Sequence, residues 1–146
     1  SVGATTRSAC RYADSGTVSV HNNIITGNGA YGLGSDQATL IHSHNLVSGH
    51  ALGTDFWKTG LTSTQAEGLR SADEPSKPPR FMDPLANDYR LAKGSPAINA
   101  GMNAPGIVDT DLLGNARPMF VVTEMGAYEY LDKSGSVRPL TWNERK

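Results

Sequence analysis

Apolar positions in the first third of the chain recur on two scales. Within a unit, Val18 and Val20 alternate with Ser19, the period of two that marks a half-buried strand, and Ile24-Ile25 follow the polar pair Asn22-Asn23. Between units, TVSVHNNIITGNG at 17–29 lies over TLIHSHNLVSGHA at 39–51 with a constant offset of 22 residues. Thr17 falls on Thr39, Val18 on Leu40, Asn23 on Asn45, Ile24 on Leu46, Ile25 on Val47 and Gly27 on Gly49. A gapless repeat of this length is the mark of stacked supersecondary units.

Each unit predicts a strand, a sharp corner and a second strand. Asparagine suits the corner because it tolerates the left-handed backbone region and bonds its own neighbouring backbone. Stacked corners would also let Asn23 and Asn45 bond through their side-chain amides as a ladder. A leucine-rich horseshoe needs regularly spaced leucines, and residues 17–51 hold only Leu33, Leu40 and Leu46. The pattern therefore predicts an all-β chain built as a parallel β-helix of few coils. Ser1-Val2-Gly3 would lie beneath Asn23-Ile24-Ile25, so the chain starts partway round a coil. Its apolar first coil calls for a cover, and a second copy of the chain is the expected one, making a homo-oligomer.

The period breaks at residue 52. Over 52–80 a long loop is expected, with Thr62 or Ser63 capping a short helix through Leu69, Glu67 in capping-box reach, and DEPSKPP as an extended connector. FMDPLANDYRL then predicts a strand, turns at Asp83-Pro84 and Ala86-Asn87-Asp88, and a strand over Tyr89-Arg90-Leu91. In SPAINAG, Ser95 can cap, Pro96 can take the first helical position and Gly101 can end the turn. DTDLLGNARP supplies another turn, and FVVTEMGAYEY alternates like a closing strand. The chain thus divides into coils at 1–51, a loop at 52–80, last strands and a cap at 81–130, and a polar tail at 131–146.

Taken together, FMDPLANDYRLAKGSPAINAG, DTDLLGNARP and EMGAYEY resemble the C-terminal end of secreted right-handed parallel β-helix proteins, the pectate-lyase-like and bacterial surface β-helix family. The likeness covers residues 80–130 closely and 17–51 more generically. Asn99 and Glu124 depart from it, each standing where the family has Asp. The resemblance implies a right-handed β-helix with an irregular C-terminal cap in which Leu91, Ala97 and Ile98 cover the last coil. It also implies an extracellular or cell-surface setting. Enzymes and non-enzymes share this ending, so it implies fold more than activity.

Composition narrows the partners. Thirteen basic against 14 acidic residues give a net charge of −1, with no basic cluster, and aromatic residues make up 7%. Nucleic acid and anionic membranes are therefore not expected partners. Sixteen glycines and eight prolines, with a mean hydropathy of −0.38, fit many turns between short strands. Cys10 is the only cysteine, which excludes an internal disulfide. The sequence contains no apolar run long enough for a membrane span, and SVGATTRSAC lacks the apolar stretch of a signal peptide.

Candidate chemistry is sparse. Asp109, Asp111, Gly114 and Asn115 imitate a calcium loop, but position twelve is Phe120, where an EF-hand needs a bidentate Glu. Calcium at an irregular Asp109–Asp111 site is the one cofactor candidate, against the simpler expectation that Asp111 pairs with Arg117 and fixes a turn. His42 and His44 would point the same way on a strand, without the converging ligands that a metal needs. With Trp57 as a stacking face and Lys58 beside it, they form the candidate carbohydrate contact. Lys58, Arg70, Arg80 and Arg90 are the basic side chains open to a lyase. The expected function is a non-catalytic scaffold or carbohydrate-associated module with a polysaccharide partner. The alternative is a polysaccharide lyase or hydrolase acting on an acidic glycan with residues upstream of this chain.

Overall fold

The computed structural model describes residues 10–12, 16–35, 38–51, 54–58, 74–75, 77–103, 106 and 108–131, with 10–12, 54–58 and 74–75 described by backbone alone. In chain order the strands are β1 (Cys10–Tyr12), β2 (Thr17–His21), β3 (Ile24–Thr26), β4 (Tyr31–Ser35), β5 (Thr39–Ser43), β6 (Leu46–Ser48), β7 (Thr54–Lys58), β8 (Glu74–Pro75), β9 (Phe81–Asp83) and β10 (Asp88–Leu91). The one helical element among the described residues is a 3-10 turn at Pro84–Ala86, capped by the Asp83 side chain. Among the described residues the regular structure is nearly all strand with almost no helix, arranged as small sheets.

Three of these sheets are parallel, in the orders β1-β4-β7, β2-β5 and β3-β6-β8; the fourth is the antiparallel pair β9-β10. The register of β2 on β5 sets Thr17 opposite Thr39, Val18 opposite Leu40 and Val20 opposite His42, and β3 on β6 sets Ile25 opposite Val47. This is the offset read from the repeat. Between the strands of each unit the chain turns at a left-handed residue, Asn22 (φ 59) or His44 (φ 55). The left-handed position is thus one residue ahead of the stacked asparagines, Asn23 and Asn45.

One strand lies where the sequence reading placed no element, and another span departs from it. YGLGS becomes β4, pairing with β1 and β7, although Gly32 and Gly34 weaken its strand signature. Its burial favours it: Leu33 at its centre is fully buried. Within 52–80, β7 and β8 extend the parallel stacking, with Phe56 opposite Leu33 and Glu74 opposite Leu46. This span is therefore more than a loop. The expected helix through Leu69 and the segment Ser1–Gly3 lie outside the described residues.

Alternation along the strands divides the apolar residues between two cores. Val20, Ile25, Leu33 and Val47, with Val18 and Leu40 against them, form one cluster drawn from all three parallel sheets. Successive side chains on a strand face opposite ways. Ile24 and Leu46 accordingly belong to a second cluster with Leu91, Ala97, Ile98 and Met125. Full burial of such side chains is worth roughly 1.5–3 kcal/mol each. Leu91, Ala97 and Ile98, expected as a cover, pack on the face of β3 and β6 that carries Ile24 and Leu46.

Hydrogen bonds hold the C-terminal segment to that face. Gly126 N donates to Asn22 O at 2.7 Å, and within the segment Met125 N donates to Ala97 O at 3.0 Å. The Asn22 side chain makes a reciprocal pair with the Met102 backbone at 2.7 and 2.9 Å. Residues 120–130 do not form the expected strand, because neighbouring backbone groups bond different segments. Thr123 O, for example, accepts from Gly101 N and Ala127 O from Leu112 N. Gly101 is required by proximity, since a Cβ there would lie 2.5 Å from Thr123 O. Ser95 caps as expected, accepting from Ala97 N at 3.2 Å, but the chain makes a turn there and no helix follows.

Candidate functional site

A cleft of about 630 Å³ opens where the C-terminal segment meets the first corner. One wall is the end of β2 and the start of β3, with His21, Asn22, Asn23 and Ile24; the other carries Phe81, Tyr89, Arg117, Met125 and Tyr128. The left-handed turn at Asn22 brings the first wall into place, and the β9-β10 hairpin carries Phe81 and Tyr89. Their rings meet edge to face with centroids 5.3 Å apart, and Tyr89 remains 45% exposed. No carboxylate lies among the described lining residues.

The stacked corner beside the cleft is rigidly bonded. Asn45 Oδ1 accepts from Asn23 N (3.0 Å) and Asn23 Nδ2 (3.2 Å), while Asn45 Nδ2 donates to Val20 O (2.9 Å) and Ser43 O (3.1 Å). Asn45 thereby satisfies a fully buried amide. The same offset repeats at Asn28, whose N donates to His50 Nδ1 at 3.2 Å, and at His21, whose Nδ1 lies 2.9 Å from Ser43 Oγ.

Of the carbohydrate contact read from the sequence, His42 and His44 are not among the described residues that line the cleft. His42 stands in register with Val20, whereas His44 has left the strand at the left-handed corner, its Nδ1 buried without a partner. The two imidazoles therefore do not share a strand face. Trp57 and Lys58 lie on β7, pairing with Gly34 and Ser35, and their side chains lie outside the described residues. Of the basic candidates, Arg90 is held by Asp88 at 2.6 Å and Arg70 lies outside the described residues. Arg80 takes a left-handed backbone (φ 53) at the start of β9.

The expected Asp111–Arg117 pair is replaced by two other arrangements. Asp111 accepts from Leu113 N, Asn115 N, Asn115 Nδ2 and Glu129 N at 2.8–3.0 Å. Burial works against its charge, but these donors together hold its carboxyl below the usual range. A calcium ion at Asp111 would have to displace them. Asp109 contributes its backbone carbonyl, which accepts from Arg117 N. Among the described residues no three His, Cys, Asp or Glu side chains are placed to hold a metal ion.

Arg117 turns instead to Glu129, with Nε 2.8 Å from Oε1 and both side chains buried. Glu129 also accepts from Met119 N (2.9 Å) and Glu124 N (3.3 Å), so one carboxylate ties together three points of the segment. Glu124 beside it is completely buried, and neither of its carboxyl oxygens meets a protein donor in hydrogen-bonding geometry. Burial first, and then its hydrogen bond and charge contact with Glu129, push the Glu124 carboxyl up to about 9. Burial also opposes charge on Glu129, but the Glu124, Met119 and Arg117 bonds outweigh it and hold that carboxyl low. Two carboxyls of opposite protonation would suit acid–base catalysis, yet these are sealed from solvent and face each other.

Sequence reasoning missed the cleft residues His21, Phe81, Tyr89 and Tyr128. The usable signals were the outward position of Tyr89 in its strand and the alternation of Tyr128 with Glu129 and Tyr130. Comparison with protein families, curated proteins and solved structures found no match.

Proposed function

We propose that this chain comprises coils of a right-handed parallel β-helix, with a C-terminal segment docked on their flank, and serves as a non-catalytic, carbohydrate-associated scaffold. The observation that carries the fold is the pairing of successive strands in three parallel sheets whose inward rows share one apolar cluster. Right-handedness follows from the strong chirality of parallel crossover connections. The resemblance at residues 80–130 supports the same fold and an extracellular or surface setting.

The cleft supports the carbohydrate association. Exposed Tyr89, with Phe81 and Tyr128, offers apolar ring faces, and His21 and Asn23 offer hydrogen-bonding groups. Such a mixture suits the alternating apolar and hydroxyl surfaces of a sugar ring. Among the described lining residues no carboxylate pair for glycoside hydrolysis stands, and Arg117, the guanidinium on the wall, is engaged by Glu129.

Affinity electrophoresis through gels containing neutral or acidic glycans tests this reading. Retardation by at least one glycan, lost in Tyr89→Ala and unaccompanied by product, is the expected result. Formation of unsaturated or reducing ends would make the cleft an active site instead, and unretarded migration in every gel would remove the carbohydrate role.

A further inference from the structure

The buried cluster behind the cleft carries an inference independent of the glycan reading. Glu124 is wholly enclosed, its oxygens meet no N–H or O–H donor of the protein, and the neighbouring side chain is a second buried carboxylate. Glu129 already accepts from Arg117, Met119 and the Glu124 backbone. Two anions in contact, facing one guanidinium and excluded from water, would leave Glu124 with charge that nothing answers. A proton on Glu124 resolves this, because it supplies the donor that Glu129 can accept. We infer that a single proton shared between Glu124 and Glu129 latches the C-terminal segment onto β3 and β6, and that its loss in alkaline solution releases the segment and opens the cleft.

The groups facing Glu124 are few. Glu129 is the titratable neighbour, and the Asn99 and Glu124 backbone N–H groups approach without reaching bonding geometry. Arg117 reaches the cluster through Glu129 and through the Glu124 carbonyl, and Asp111 through the Glu129 amide. The strands beneath contribute Asn22, Ile24 and Leu46, none of which titrates. Residues 124–126 are also the place where the segment grips the strands, through Gly126 N to Asn22 O and Met125 against Leu46. The proton and the docking contacts therefore share one short stretch.

The sign is fixed by the direction of the shift. A free glutamate ionises near 4.5, whereas folded Glu124 holds its proton up to about 9. Between those values the folded form carries the extra proton, so stability falls as pH rises and levels off once both forms are ionised. Infrared spectroscopy of the full chain, with thermal unfolding from neutral pH to above 9, tests the latch. The wild type is expected to show a protonated carboxyl stretch at neutral pH that disappears on alkalinisation while the melting temperature falls. Glu124→Gln, which copies the neutral form, should lose that band and resist the alkaline fall. A wild type without the band at neutral pH, or a variant with an undiminished alkaline fall, would overturn the inference. Should Glu124→Gln fail to fold, the wild-type band decides alone: its presence supports the latch and its absence ends it.

Discussion

Asn45 concentrates more hydrogen bonding than any neighbour at the stacked corner, and it does so with no exposure to water. Its Oδ1 takes two donors from Asn23 and its Nδ2 serves two carbonyls. Asn45→Ala should therefore cost about 2 kcal/mol or more by leaving buried backbone groups unpaired, while Asn23→Ala, at an exposed position, should cost about 1 kcal/mol or less. Urea denaturation compares the two; equal costs would mean that the ladder is incidental. Asp111 makes a similar case in charge. Its carboxyl is held below the ordinary value of 3.8, so its contribution is present above that value and lost as pH falls through the lower folded one. Asp111→Asn, unable to accept from all four donors, should destabilise the chain at neutral pH and flatten the acid limb of a pH–stability curve. The pairing of Asp111 with Arg117 suggested by the sequence failed for a physical reason. The turn's own N–H groups reached the carboxylate first, leaving the guanidinium to Glu129, twelve residues away.

At the scale of elements, β3 and β6 serve two cores at once. Val47 faces the cluster shared by the parallel sheets, and Leu46 faces the C-terminal segment. Leu46→Ala and Val47→Ala should each cost several kcal/mol, about 2–5 for the leucine, but in different places. Hydrogen exchange should show Leu46→Ala stripping protection chiefly from the Met125 and Gly126 amides, and Val47→Ala chiefly from the β2-β5 ladder. Matching exchange patterns would contradict the two-faced arrangement. The repeat made β2, β3, β5 and β6 legible, together with their register, because apolar residues, asparagine and glycine recur at fixed positions. It hid β4, whose glycines erase the alternation, and β7, where the pairing persists after the sequence similarity ends. The docking of 81–130 was legible in its residues but not in its place. Leu91, Ala97 and Ile98 read as a cover, and only three-dimensional packing assigns them to the face of β3 and β6 that carries Ile24 and Leu46. Gly101→Ala probes that closeness, since its Cβ would meet the Thr123 carbonyl; a loss of roughly 1–3 kcal/mol is expected.

For the molecule as a whole, the parallel strand pairs and the C-terminal segment packed on β3 and β6 define the cleft together, so its geometry depends on both cores. The sequence disclosed its wall at Asn22-Asn23 through the repeat. It did not disclose the aromatic wall, because Phe81, Tyr89 and Tyr128 come from separate stretches and share no spacing. Of the contact expected from His42, His44, Trp57 and Lys58, the two histidines are not among the described lining of the cleft, and the side chains of Trp57 and Lys58 lie outside the described residues. The most direct test of this architecture is a set of backbone and side-chain nuclear Overhauser contacts on the isotopically labelled 15.5 kDa chain. Contacts from Val18 to Leu40, from Ile25 to Val47, and from Met125 to both Ile24 and Leu46 are predicted. Antiparallel contacts between residues 17–21 and 24–26, or a Met125 without neighbours on β3 and β6, would contradict it.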